Sequence, residues 1–325
     1  MSDALMQHGG RVTDARLRYG GAAEAWLDLS TGINPNAWSP PSDPSLDWRT
    51  LPDPAALADL ERLAATMFGA DPGLCAAVPG SEAGLRALAH LLRLPGRHAA
   101  LCYGTHADAF APAASDARPC VLVLANPNNP DGTVLTRDAL RAHLDRQERA
   151  GGWLIVDEAF ADVMPECSVA DLVAEGRRLI VTRSFGKFFG LAGARLGFVL
   201  APAPLLARLR HLTGEWPVCA AALAFGRAAY ADAGWIAEAR ARLPQAAARL
   251  DAVLARHGLT ARGGCPLFRL VESSTAGNLF AGLARRQILT RPFADHPHLL
   301  RFGLPGCAAD LARLDEALGS AIRDG

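Results

Sequence analysis

Thr182-Arg-Ser-Phe-Gly-Lys187-Phe-Phe-Gly-Leu-Ala-Gly-Ala-Arg195-Leu-Gly-Phe198 continues directly from the apolar run that begins at Leu179. The run is short, rich in β-branched residues and ends in polar ones. It predicts a buried strand over Leu179–Thr182 that opens into a glycine-rich turn. Gly197–Leu200 predicts a further short strand. Upstream, His98–Tyr103, Cys120–Leu124 and Trp153–Val156 have the same character. Helical periods separate them. Ser81–Leu92 places apolar residues at 85, 88, 91 and 92, with Ser81 as its cap, and Thr136–Gln147 begins on the capping residue Thr136. Short apolar strands alternating with helices predict an α/β fold whose central sheet is mostly parallel and covered on both faces. Ligands of such sheets lie beyond the carboxyl ends of the strands. The polar residues after each strand therefore belong to one expected site: Tyr103, Asn126–Asn129, Asp157 and Ser184–Lys187.

Composition singles out the same lysine. The 325 residues include 33 Lys and Arg, and Lys187 is the one lysine among them. A guanidinium serves an ion pair as well as an ammonium does, but it stays charged and cannot act as a free amine. The chain is half apolar and has zero formal net charge. That balance argues against disorder and against a general nucleic-acid or membrane-surface binder. No run of about 18 apolar residues predicts a transmembrane helix, and Met1–Val12 lacks an apolar signal core. The seven cysteines are scattered without a CxxC pattern, which suggests reduced thiols in a cytoplasmic protein and no metal site. His296-Pro-His298 is the one close His pair, and its proline works against a shared helical face.

From about residue 204 the pattern changes to long Ala/Arg/Leu segments. Ile236–His257 reads as an amphipathic helix that Pro244 should break or kink. Short strands follow at Leu267–Val271 and Leu299–Phe302. The expected organisation is an N-terminal arm over 1–38 that joins the small domain, a large domain over 39–203, and a smaller α+β domain over 204–325. The Pro-rich 39–54 stretch reads as a linker.

An amine beside apolar residues can titrate low and form a Schiff base with a carbonyl. Ser184 and Arg195 flank it with a hydroxyl and a planar cation suited to phosphate. These residue types fit pyridoxal 5′-phosphate (PLP), whose aldehyde needs an amine and whose phosphate needs donors. A surface turn between strands would use the same glycines. The Walker pattern GxxxxGK[ST] is absent. Asp157 ends Leu154-Ile-Val-Asp-Glu-Ala-Phe160, where a carboxylate can hold a protonated pyridine nitrogen or serve as a cap or ion pair. Asn126-Pro-Asn-Asn-Pro-Asp-Gly132 is a rigid turn from which Asn129 can donate to a ring oxygen, although turn chemistry alone also explains it. Gly80-Ser81-Glu82 opens a helix, and helix N-termini bind phosphate through unpaired N–H groups.

Taken together, these segments resemble the fold-type I PLP enzymes, the aspartate aminotransferase superfamily. AsnProAsnAsnProAspGly is similar to its NPxNPTG segment and AspGluAlaPhe to DEAY. SerPheGlyLys with Arg195 eight residues on resembles S-x-x-K-x(7)-R. The resemblance covers roughly residues 76–200. It implies Lys187 as the Schiff-base lysine and proton shuttle, Asp157 against the pyridine nitrogen and Asn129 against the 3′-oxygen. It further implies Gly80, Ser81, Glu82, Ser184 and Arg195 around the phosphate, Tyr103 stacked on the ring, and His106 supporting Asp157. Arg301, in Leu299-Leu-Arg-Phe-Gly, falls where the family holds the substrate carboxylate. Phe160 in place of Tyr, Asp131 in place of Thr, and Leu51 in place of a Tyr reaching the neighbouring subunit are departures. His8-Gly-Gly and Trp26-Leu-Asp-Leu-Ser-Thr-Gly-Ile-Asn-Pro35 resemble the threonine-phosphate decarboxylases of cobalamin biosynthesis, within the histidinol-phosphate aminotransferase-like branch. The resemblance implies a homodimer that decarboxylates L-threonine O-3-phosphate, with His8, Asn34 and Arg301 on the substrate. An aminotransferase for histidinol phosphate or a similar amine, and a non-catalytic PLP-binding homologue, are the alternatives.

Overall fold

The structure, a computed structural model, describes residues 4–6, 8–40, 46–114 and 118–324. The chain forms two compact units. The larger takes Ala37–Asn129 and Thr133–Arg240, the smaller Met1–Asn36, Pro130–Gly132 and Ala241–Gly325.

Six strands build the sheet of the larger unit: β1 (Cys75–Val78), β2 (Gly96–His98), β3 (Val121–Ala125), β4 (Trp153–Asp157), β5 (Leu179–Ser184) and β6 (Gly197–Leu200). Their order is β1-β6-β5-β4-β3-β2. Strands β2 to β5 pair in parallel, and β6 runs antiparallel to both β1 and β5. Five strands therefore point one way and β6 alone is reversed. The carboxyl ends of β1–β5 and the start of β6 share one side of the sheet. Leu154, Ile155 and Val156 are all fully buried, as expected of a strand covered on both faces. Val123, Ile155, Ile180 and Val199 pack with Leu85 and Leu88 of helix Ser81–Leu92. Each such buried side chain stabilises by roughly 1.5–3 kcal/mol.

Helices Ala203–Thr213 and Ala220–Ala231 belong to this unit, so the boundary expected at residue 204 falls instead after Arg240. Packing is the reason. Leu205, Leu206 and Leu209 join the core of the sheet. Arg210 also reaches both oxygens of the buried Glu61 at 2.9 Å and the Cys75 carbonyl at 2.8 Å. Three more expectations change. Helix Ser81–Leu92 is capped by Gly80 at φ 97°, with Ser81 as its first residue rather than its cap. The strand expected over His98–Tyr103 is Gly96–His98: β2 is an edge strand, and only these residues pair with β3. Helix Ala233–Arg256 runs through Pro244. Leu243, Ala247, Leu250 and Leu254 are buried along one face, and that packing offsets the roughly 3 kcal/mol an interior proline costs.

In the smaller unit an antiparallel sheet takes the order Arg291–Pro292, Leu299–Gly303, Phe268–Glu272, Ala261–Arg262. Leu27–Asp28 pairs in parallel with Ile288–Leu289, which ties the N-terminal segment into this unit. That segment also contains a helix, Val12–Tyr19. Part of the Pro-rich stretch, 41–45, lies outside the described residues. Among the described residues no helix is long and apolar enough to cross a membrane. No group of three or more His, Cys, Asp or Glu among them could hold a metal ion.

Candidate active site

Gly80, Ser81, Glu82, Tyr103, Ser184, Lys187 and Arg195 line one cleft in the larger unit. Strand direction brings them together. Gly80 and Ser81 follow β1, Tyr103 follows β2, and Ser184 ends β5 with Lys187 three residues on. The reversed β6 begins two residues after Arg195. The register opposes Val78 and Ser184 to the same Gly197. Arg195 turns into β6 in the left-handed conformation (φ 50°). Its guanidinium packs so close to Gly80 that a Cβ there would lie 2.7 Å from a terminal nitrogen. The first N–H groups of helix Ser81–Leu92 have no partner within the helix. With the Ser184 hydroxyl and the Arg195 cation they make a set of donors for a dianion. An amine, a donor-lined anion cradle and an aromatic ring on one cleft are the parts PLP requires, so the residues fit that cofactor.

Asp157 ends β4 and is buried. Its Oδ1 accepts from Thr182 Oγ1 and from the Ala159 N–H, each at 3.1 Å. Its Oδ2 lies 3.0 Å from His106 Nε2. Burial disfavours a charge on His106, but the bond to Asp157 and the neighbouring Cys102 outweigh it, and the pKa is pushed up to about 9. A cation therefore faces Asp157 Oδ2 at neutral pH. The ring of His106 also meets that of Tyr103 edge-on, with centroids 5.7 Å apart.

In the turn after β3, two asparagines serve the backbone. Asn126 donates to Leu135 and Cys167 carbonyls and accepts from the Leu135 N–H. Asn128 donates to the Leu101 carbonyl at 3.0 Å. Asn129 follows them, half-buried. Phe160 is buried. Arg183, one residue before Ser184, is buried too, with Glu158 at 3.5 Å, Asp162 at 3.2 Å and the Phe68 ring 4.3 Å away.

The substrate candidates His8, Asn34 and Arg301 lie in the smaller unit. The Gly10 N–H donates to Ser30 Oγ at 2.7 Å, and a Cβ on Gly9 would overlap the Ser30 carbonyl. His8-Gly-Gly is thus seated on the chain rather than frayed, with His8 exposed. Arg301 donates to the same Ser30 carbonyl at 2.9 Å. Asn34 is buried and accepts from the Asn36 N–H.

Three residues here had no local sequence signal. Thr182 meets Asp157 because β4 and β5 pair in that register. Thr105 donates to Glu82 at 3.2 Å across 23 residues. Arg291 is the direct cross-strand partner of Arg301. Burial lowers the pKa of each of these two arginines to about 10, and for Arg301 its neighbour Arg291 adds to the effect. Like charges directly opposed are unfavourable, so an anion between them would be strongly attracted.

The aminotransferase class I and II family model matches residues 103–318. Two curated relatives named threonine-phosphate decarboxylase, from Pseudomonas aeruginosa and Sinorhizobium sp, are each 42% identical over 97% of this chain, covering 97% and 98% of their own lengths. The crystal structure of the histidinol-phosphate aminotransferase from Clostridium acetobutylicum superposes with a TM-score of 0.78 at 17% identity, over 91% of this chain and 99% of that one. At that identity the likeness carries the fold.

Proposed function

The chain belongs to the aminotransferase class I and II family, and from that premise we propose that it is a PLP-dependent decarboxylase of L-threonine O-3-phosphate. Its product would be (R)-1-amino-2-propanol O-2-phosphate, for the nucleotide-loop linker of cobalamin. The observation that carries this reading is the 42% identity, over nearly the whole chain, to two threonine-phosphate decarboxylases.

When bound, PLP supplies a conjugated ring able to take up the electron pair left on the α-carbon as carbon dioxide departs. Lys187 provides the primary amine its aldehyde needs. Afterwards Lys187 returns a proton from Nζ to the α-carbon, so the broken C–C bond is replaced by a C–H bond. Asp157, positioned by His106 and Thr182, would hold the pyridine nitrogen. Asn129 would donate to the 3′-oxygen, where Phe160 offers no second donor. Gly80, Ser81 and Glu82 through their N–H groups, with Ser184 and Arg195, would hold the phosphate, and Tyr103 would face the ring. Arg301 and Arg291 receive an anionic group of the substrate, with His8 and Asn34 as further contacts. The protein's part is orientation and electrostatics. We also assign the enzyme to the cytoplasm as a homodimer. All seven cysteines are free thiols, and Trp48, Leu51 and Trp216 expose large apolar surfaces.

Decarboxylation exchanges a carboxylate for a proton and needs no oxo acid. The PLP-loaded enzyme should therefore turn threonine phosphate alone into carbon dioxide and an amine phosphate. Lys187→Arg, which keeps the charge but not the amine, should lower that rate on the order of 10³-fold or more. Absence of product, together with turnover of histidinol phosphate plus 2-oxoglutarate, would overturn the proposal in favour of an aminotransferase.

A further inference from the structure

A carboxylate beside a phosphate cradle is an electrostatic cost, so Glu82 needs another task. Its side chain lines the cleft at the N-terminus of helix Ser81–Leu92, and both of its oxygens are taken. Oε2 accepts from the Tyr103 hydroxyl at 3.1 Å, and Oε1 accepts from Thr105 Oγ1 at 3.2 Å and from the Arg86 guanidinium at 3.0 Å. Burial disfavours its charge, but Arg86, Tyr103 and Thr105 outweigh that and hold the carboxyl below its usual range. Tyr103 immediately precedes the short helix Gly104–Ala109, and Thr105 lies on it. One carboxylate thus pins both the far end of the Tyr103 ring and the helix from which the ring projects. The next residue of that helix, His106, is the one that holds Asp157. Thr105 and His106 are both fully buried.

We propose that Glu82 is a positioning residue: its carboxylate fixes the plane of Tyr103 and, through helix Gly104–Ala109, ties the phosphate end of the site to the Asp157 end. This rests on the reading of the cleft as a PLP site. The hydroxyl of Tyr103 then serves orientation, and Glu82 and Tyr103 act as one unit. Residues that act as a unit give losses that do not add.

The test is a double-mutant cycle on the full-length protein with PLP itself as the probe. Glu82→Ala, Tyr103→Phe and the combined variant are compared by PLP dissociation constant and by the circular dichroism of the bound cofactor. Each single variant should weaken PLP binding roughly tenfold, as expected for a hydrogen bond to a charged group, and reduce the dichroism. The combined variant should match the worse single one, and Glu82→Gln should recover part of the loss. Thr105→Val gives the same readings should Glu82→Ala fail to fold. Losses that multiply, or an unchanged dissociation constant and dichroism in Glu82→Ala, would overturn the proposal. Failure of the wild-type protein to take up PLP would instead overturn the reading of the cleft, a separate result.

Discussion

His106 is charged because two neighbours outweigh its burial, and the consequence is measurable. Its pKa in the folded protein, about 9, lies above the ordinary 6.5. Folding therefore favours the protonated ring. The stabilisation is fully present below about pH 6.5 and is lost as the pH rises through 9. A rise of this size corresponds to roughly 3–4 kcal/mol of stability at most. Urea unfolding of the cofactor-free protein should show stability falling between pH 6.5 and 9, and His106→Asn should flatten the slope. A slope unchanged in the variant would assign it to other groups. At this scale the sequence is uneven as a guide. Lys187 is conspicuous because every other basic side chain but histidine is Arg, and an amine cannot be replaced by a guanidinium. Thr182 is invisible, since a threonine inside an apolar run has no signal until the strand beside it is known.

Among the elements, β6 has the largest effect on the site. Its reversal delivers Arg195 to the side where the other strands end, and Gly197 makes the approach possible. A Cβ at Gly197 would overlap the Ser81 N–H, lie 2.8 Å from the Gly80 carbonyl carbon and 2.9 Å from the Arg183 oxygen. All three are backbone atoms and cannot rotate away. Gly197→Ala should cost about 1–3 kcal/mol as an overpacked core does, and it should weaken PLP binding by displacing the helix N-terminus. Thermal unfolding and PLP titration of the variant check both effects. Unchanged PLP affinity would mean that the cradle tolerates the shift. Thr136 is the cap the sequence predicts, accepting from the Ala139 N–H at 3.2 Å. The course of helix Ala233–Arg256 is not predictable in the same way. Local propensity stops it at Pro244, whereas burial of one face carries it on.

For the whole molecule, Trp48 (70%), Leu51 (66%) and Trp216 (48%) are among the large apolar side chains left exposed, and the homodimer proposed above would cover them. All three belong to the larger unit. Sedimentation should give a dimer, and Trp48→Glu with Leu51→Glu should shift it toward monomer. A wild-type monomer at micromolar concentration would refute the assignment. Local sequence determined the α/β class, the single primary amine at Lys187, and the helices Ser81–Leu92 and Arg137–Arg149. Those follow from periodicity, caps and functional groups, which act over a few residues. Only the tertiary structure decided the reversal of β6, the meeting of Thr182 with Asp157 and of Arg291 with Arg301, the bond from Thr105 to Glu82, and the assignment of 204–240 to the larger unit. Each depends on strand register or on side chains packing across distant segments. A residue's own neighbours in sequence exert no force that selects such a partner.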